Sequence, residues 1–303
     1  MKNIFHIVAV LLIGTCGVSA QQESQYTQYM YNTMTFNPGY TGSREVLSVM
    51  GLYRTQWVGL DGAPKTMNFS VQSPVSTHSS LGLNVISDEI GPVKSTGVTA
   101  NYSYTILGSS DVKYSFGISG ALDNNSVDYD KLNKENPDHY LTGSESKISP
   151  NVGAGFYVHS YNWYVGLSAP RLLKTTFFED IKTTTYSASS HFYLMGGYVF
   201  DLNPYLKFKP AAMVKAVQGA PLAVDLSANF LFNDKFTLGA AYRWDAAVSA
   251  MAGFQITPGL NLGYAYDYDT THIGNYNSGS HEIFLRFELF GNSKSKLVTP
   301  RFF

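Results

Sequence analysis

Val98-Thr99-Ala100-Asn101-Tyr102-Ser103-Tyr104-Thr105-Ile106 alternates without a break: every second residue is apolar or aromatic, and every intervening one is small and polar. Successive side chains of a strand point to opposite faces, so this stretch reads as a β-strand with one greasy face and one wet face. The same alternation runs through Leu260-Asn261-Leu262-Gly263-Tyr264-Ala265-Tyr266-Asp267-Tyr268 and through Val112-Lys113-Tyr114-Ser115-Phe116-Gly117-Ile118. Working outward, runs of this kind fall near 43–53, 66–73, 81–88, 96–107, 112–123, 150–158, 162–168, 191–202, 205–217, 222–232, 236–243, 246–255, 260–268 and 280–290. That is fourteen expected strands, an even number, and most approach the length that crosses a bilayer as a tilted strand.

The connections follow a rule of their own. Pro74 to Ser80 aside, the even-numbered connections are tight (Gly108 to Asp111, His159 to Tyr161, Asn203-Pro204, Asn233 to Lys235 and Ile256 to Gly259), whereas 54–65, 124–149, 169–190 and 269–279 are long. Tight turns at one end and long loops at the other are what a transmembrane antiparallel β-barrel shows between its periplasmic and external sides. A soluble β-sandwich shares the alternation but gives no reason for the odd/even rule.

Composition fits the barrel. Charged residues make up 14% of the chain, against about 25% in ordinary soluble domains, while Tyr (22), Phe (19) and Gly (27) are plentiful. No apolar run after residue 20 approaches the roughly 18 residues of a spanning helix, so any membrane crossing is made by strands. A net charge of −1 gives no electrostatic reason to expect a nucleic-acid partner.

Residues 1–20 carry Lys2, an apolar stretch from Ile4 to Ile13 and small residues Val18-Ser19-Ala20, the layout of a secretory signal peptide. Lipoprotein processing at Cys16 is the alternative, against which Thr15 is a poor fit. Cleavage after Ala20 leaves a chain with no cysteine, and hence no disulfide or thiolate chemistry. Residues 21–42 read as an N-terminal periplasmic or plug segment: Tyr26, Tyr29, Met30 and Thr33 recur at helical spacing, and Asn37-Pro38-Gly39 would stop a helix. A short helix or irregular plug near the periplasmic mouth is expected, with an untethered leader as the other reading. The barrel then occupies 43–290 and a tail 291–303, bearing Lys294, Lys296 and Arg301, either docks in the periplasm or hangs loose.

Asp123, Lys215, Asp225, Arg243, Asp267, Glu282, Arg286 and Glu288 fall on the polar phase of their strands, expected to face the lumen, where they can pair. Facing lipid, each cation would cost about 2–4 kcal/mol at the bilayer midplane. Lys207 and Lys209 share that phase close to a periplasmic turn, where snorkelling would relieve any lipid exposure.

Several short motifs resemble one family of outer-membrane proteins. They are Gln28-Tyr29-Met30-Tyr31-Asn32 with Asn37-Pro38-Gly39-Tyr40-Thr41-Gly42, Arg54-Thr55-Gln56-Trp57 with Gly62-Ala63-Pro64-Lys65-Thr66, and Gly82-Leu83-Asn84 with Asp88-Glu89-Ile90-Gly91. Gly166-Leu167-Ser168-Ala169-Pro170, His191 to Phe200, Gly279-Ser280-His281-Glu282-Ile283 and Pro300-Arg301-Phe302-Phe303 continue the series. Together they resemble the PorP/SprF family associated with the type IX secretion system of Bacteroidetes. The resemblance implies a barrel in the cell outer membrane that works with translocon components. It further implies that the barrel binds the C-terminal domain of a secreted partner, such as a gliding adhesin, and supports its export and surface attachment.

Candidate partner contacts lie in the long loops. Arg54 and Trp57 sit in the first, where Trp and Arg suit an interface and an aromatic girdle equally well. Loop 124–149 holds Tyr129 with Asp128, Asp130, Glu135, Asp138 and Glu145; it lacks the glycine and bidentate Glu of a calcium loop, so a solvated platform is expected. Loop 169–190 offers Arg171, Phe177, Phe178 and Tyr186, and a Phe-Phe pair in a polar loop suggests a contact. The seven histidines show no ligand spacing, His191 and His281 suit rim hydrogen bonds, and nothing marks a nucleophile, so neither metal, cofactor nor enzyme is expected. A passive channel for small solutes is the alternative function, suggested by the polar inner phase.

Overall fold

The computed structural model describes residues 26–109, 111–132, 142–173, 175–177, 186–188, 190–217 and 220–289. Its strands are β1 (Leu47–Thr55), β2 (Lys65–Pro74), β3 (Ser79–Ile90), β4 (Val93–Leu107), β5 (Lys113–Asp128), β6 (Ser144–His159) and β7 (Trp163–Arg171). A two-stranded hairpin, β8 (Thr175–Phe177) with β9 (Tyr186–Ala188), stands apart in the following loop. The wall resumes with β10 (His191–Tyr198), which β11 (Phe200–Asn203) continues, then β12 (Leu206–Val217), β13 (Ala223–Phe232), β14 (Phe236–Arg243), β15 (Ala247–Thr257), β16 (Leu260–Asp269) and β17 (Ser280–Leu289).

Each wall strand pairs antiparallel with its sequence neighbours, β10 pairs with both β7 and β12, and β1 pairs with β17. The sheet therefore closes into a fourteen-stave barrel without an open edge at mid-height.

The burial pattern is inverted relative to a water-soluble protein. On β5 the residues turned inward are Ser115, Gly117, Ser119, Ala121 and Asp123, while Ile118 is 63% and Leu122 58% exposed. On β2, Thr66, Asn68 and Ser70 are buried and Met67 and Phe69 are exposed. An apolar outer face with a polar interior is stable only where the surrounding solvent is lipid. Exposed aromatics ring both ends of this band: Tyr104, Tyr114, Tyr161, Tyr198, Tyr205 and Phe236 by the short turns, and Tyr53, Tyr242, Trp244 and Tyr268 by the long loops.

The expected strands all appear, with two informative differences. Loop 124–149 is shorter than its sequence suggests, because β5 runs on to Asp128 and β6 begins at Ser144. Asn124-Asn125-Ser126 and Ser144-Glu145-Ser146 are polar on both faces; strands that leave the lipid lose the period-two signal although the ladder continues. The leader, expected near the periplasmic mouth, instead threads the lumen. Residues 26–41 are nearly all buried, shaped as a 3-10 turn at Tyr29–Tyr31, one α-helical turn at Thr33–Phe36 and a second 3-10 turn at Pro38–Tyr40. Asn37 ends the helix, its side chain accepting from Gly39 N–H at 2.8 Å. The expected tail 291–303, the signal segment 1–20 and residues 21–25 lie outside the described residues.

Candidate functional site: a filled lumen beneath a raised external wall

The plug carries no charged side chain between Tyr26 and Gly42, so among the described residues the charges it meets come from the barrel strands and from Arg44 just before β1. Near the external end, Thr27 sits on a buried cluster of Arg54 from β1, Asp267 from β16 and Glu282 from β17. Arg54 lies 2.7 Å from Asp267 and 3.2 Å from Glu282. The Thr27 hydroxyl accepts from Arg54 at 2.8 Å and donates to Asp267, while the backbone N–H groups of Thr27 and Gln28 both donate to Glu282, each at 2.9 Å. One carboxylate thus satisfies two consecutive amides that an irregular turn leaves without partners. Beside it, Arg243 pairs with Asp225 at 2.7 Å and reaches the Tyr26 carbonyl at 3.5 Å.

Lower in the lumen the contacts become close and largely neutral. Pro38 and Gly39 press against Gly117 of β5, where a Cβ would meet Gly39 N and Pro38 C at 2.2 Å; at Gly155 of β6 it would meet the Asn37 side chain at 2.1 Å. Only glycine admits a second backbone this close. Asn37 donates to the Phe156 carbonyl, Ser168 to the Phe36 carbonyl, and Gly42 N–H to Gln72. Tyr31 lies between two cations, with Lys209 5.2 Å and Arg286 5.6 Å from its ring centroid, and its carbonyl accepts from Arg286. Arg44, just before β1, is held by Glu288 at 2.6 Å.

Three cavities border the plug among the described residues. The cavity beside Tyr31, Arg44 and Arg286 measures about 30 Å³, and those beside Tyr26 and Asn32 about 10 Å³ each, room for one or two waters.

Of the residues singled out from sequence, Arg54, Trp57, Tyr129 and Arg171 lie in different surroundings. Arg54 is 2% exposed and holds the plug, so it is out of reach of an external partner; its burial follows from sharing an inward phase with Met50 and Leu52. Trp57, at a positive φ of 47°, is half-buried, its backbone N–H on Ser280 and its ring N–H 3.4 Å from Asp269. Tyr129 donates to Glu145 at 3.0 Å on the β5–β6 hairpin. Arg171 closes on Asp123 through two bonds of 2.8 and 3.1 Å at the upper lumen wall. Phe177 and Tyr186 are register partners in the small hairpin, and Phe178 lies outside the described residues. His191 is buried against Tyr193, and His281 bonds the Tyr264 hydroxyl at 2.6 Å. Lys209 is fully buried in the lumen, with no lipid exposure to relieve, whereas Lys207 pairs with Asp234 at 2.9 Å.

The outward apolar band, the two aromatic rings and the closed ladder around a polar, filled lumen define an outer-membrane β-barrel protein. The chain belongs to the PorP/SprF family of type IX secretion system membrane proteins, whose family model matches residues 18–287. No individually characterised protein matched the sequence. Among solved structures, the toluene transporter TbuX of Ralstonia pickettii is similar in fold, with a TM-score of 0.50, 7% identity and coverage of 84% of this chain and 92% of that one. A Pseudomonas aeruginosa FadL homologue (TM-score 0.46, 10% identity, 84% and 93% coverage) and Omp33 of Acinetobacter baumannii (0.46, 10%, 81% and 98%) were also found.

Proposed function

We propose that this barrel binds the C-terminal region of a protein secreted by the type IX system, of the gliding-adhesin type, and supports its export and attachment at the cell surface. It acts as a holder in company with translocon components and performs no catalysis. The observation that carries this reading is the filled lumen: a wall whose buried charges are spent on a plug is built to be stable and closed, which suits capture better than conduction. The family membership supports a place in the secretion machinery. The raised β5–β6 hairpin supports a contact surface outside the membrane.

Affinity purification of the tagged barrel from detergent-solubilised outer membranes, followed by mass spectrometry, tests the reading. Recovery of one large secreted protein with translocon components is the expected result. If deleting the barrel left every surface adhesin exported and attached, the reading would fall. Swelling of liposomes by the purified wild-type barrel in small sugars would favour a passive channel instead.

A further inference from the structure

The sheet closes around the lumen, yet its external margin is not level. β6 pairs with β5 along its whole length, from Asp128↔Ser144 to Lys113↔His159, but with β7 only from Ala154↔Ala169 to His159↔Tyr164. Above Ala154 the second side of β6 has no strand partner among the described residues. Had β7 run on in the same register, Thr175 would lie opposite Ile148 and Phe177 opposite Ser146. Those residues leave instead to pair with Ala188 and Tyr186 in a separate sheet.

The backbone shows which groups point outward. Leu172 N–H donates to the Val152 carbonyl, so even-numbered residues direct their main-chain groups away from β5. Pro150 has the same parity and has no N–H to lose, as expected of an edge position. Val152 is closed off, its own N–H bonded to the Asn151 side chain at 2.9 Å. Ser144, Ser146 and Ile148 therefore turn both N–H and C=O outward above that point, with Ile148 68% exposed. Hydrocarbon does not tolerate an open strand edge, and Ser144-Glu145-Ser146-Lys147 is polar, so this edge stands in water on the external side.

We propose that the edge of β6 at Ser144–Ile148 receives one extended β-strand of the secreted partner, which continues the barrel sheet outward by strand addition. Main-chain hydrogen bonds supply the affinity. This rests on the capture reading above and gives it a mode of contact.

The test uses the full-length protein in cells that secrete the partner. Ser146→Pro with Ile148→Pro removes two outward donors and leaves the β5–β6 ladder donors in place; Ser146→Ala with Ile148→Ala keeps all of them. The proline pair is expected to lower the surface adhesin recovered per barrel about tenfold, as the loss of two main-chain bonds implies, with barrel abundance and gel mobility unchanged. The alanine pair is expected to match wild type. A photo-crosslinker at Ile148 is expected to join that same adhesin, while one at lipid-facing Ile118 does not. Wild-type recovery with the proline pair, or a crosslink from Ile148 to the chain's own residues 178–185, overturns the inference while leaving capture standing. If wild type itself holds no adhesin, the capture reading falls and this one with it.

Discussion

Arg54 and Glu282 are register partners on β1 and β17, 3.2 Å apart and almost wholly buried, and both bond the same plug residue, Thr27. The first and last strands, where the barrel closes, are thereby tied to the segment that fills it.

Removing one partner of a buried pair strands the other, which costs about 3–5 kcal/mol. Arg54→Ala leaves Asp267 and Glu282 as two uncompensated buried carboxylates, so it should lower the urea midpoint sharply and make the folded band on unheated gels unfold at lower temperature. An unchanged midpoint would mean that Thr27 and Gln28 alone satisfy the pair.

Arg171→Ala is expected to behave differently, although it too breaks a two-bond ion pair. Its side chain is 28% exposed at the upper lumen, so water can replace what Asp123 loses, and the cost should stay near 1 kcal/mol. Urea unfolding of the two alanine variants side by side measures the difference.

Gly117→Val should expel the plug without breaking the wall. The new side chain would occupy the space of Pro38 and Gly39, and the plug is displaced more easily than β5, which is laddered on both sides. Small-sugar permeability in liposomes should rise above the closed wild type while the barrel keeps its gel mobility; permeability equal to wild type would show that the plug absorbs the clash.

Lipid-facing positions should report depth. Ile118→Lys, about halfway up the apolar band, should cost about 2–4 kcal/mol on folding into vesicles, whereas Ser146→Lys should change stability by less than about 0.5 kcal/mol. Equal penalties would place the β6 edge inside the membrane.

The wall was legible in the sequence because period-two alternation is a local property: each strand records which of its faces meets lipid, as Val98 to Ile106 does in nine residues. Strand number, the short-turn side and the inward phase of Asp225, Arg243, Asp267 and Glu282 all follow from it. Arg54, expected at the start of the first external loop, instead belongs to β1, which runs on to Thr55 and turns Arg54 inward with Met50 and Leu52. Asn124 to Asp128 and Ser144 to Ser149 look like loop in the sequence because a strand in water need not alternate.

What the sequence could not determine is everything that depends on which distant segments share the lumen. The neutral tyrosine-rich stretch from Tyr26 to Gly42 fits several environments, and only the closed barrel, with glycines at 117 and 155 and paired charges at 54, 267 and 282, makes a plug of it. The unequal heights of β6 and β7 are likewise invisible in either strand alone, since an open edge is a relation between neighbours and not a property of residues.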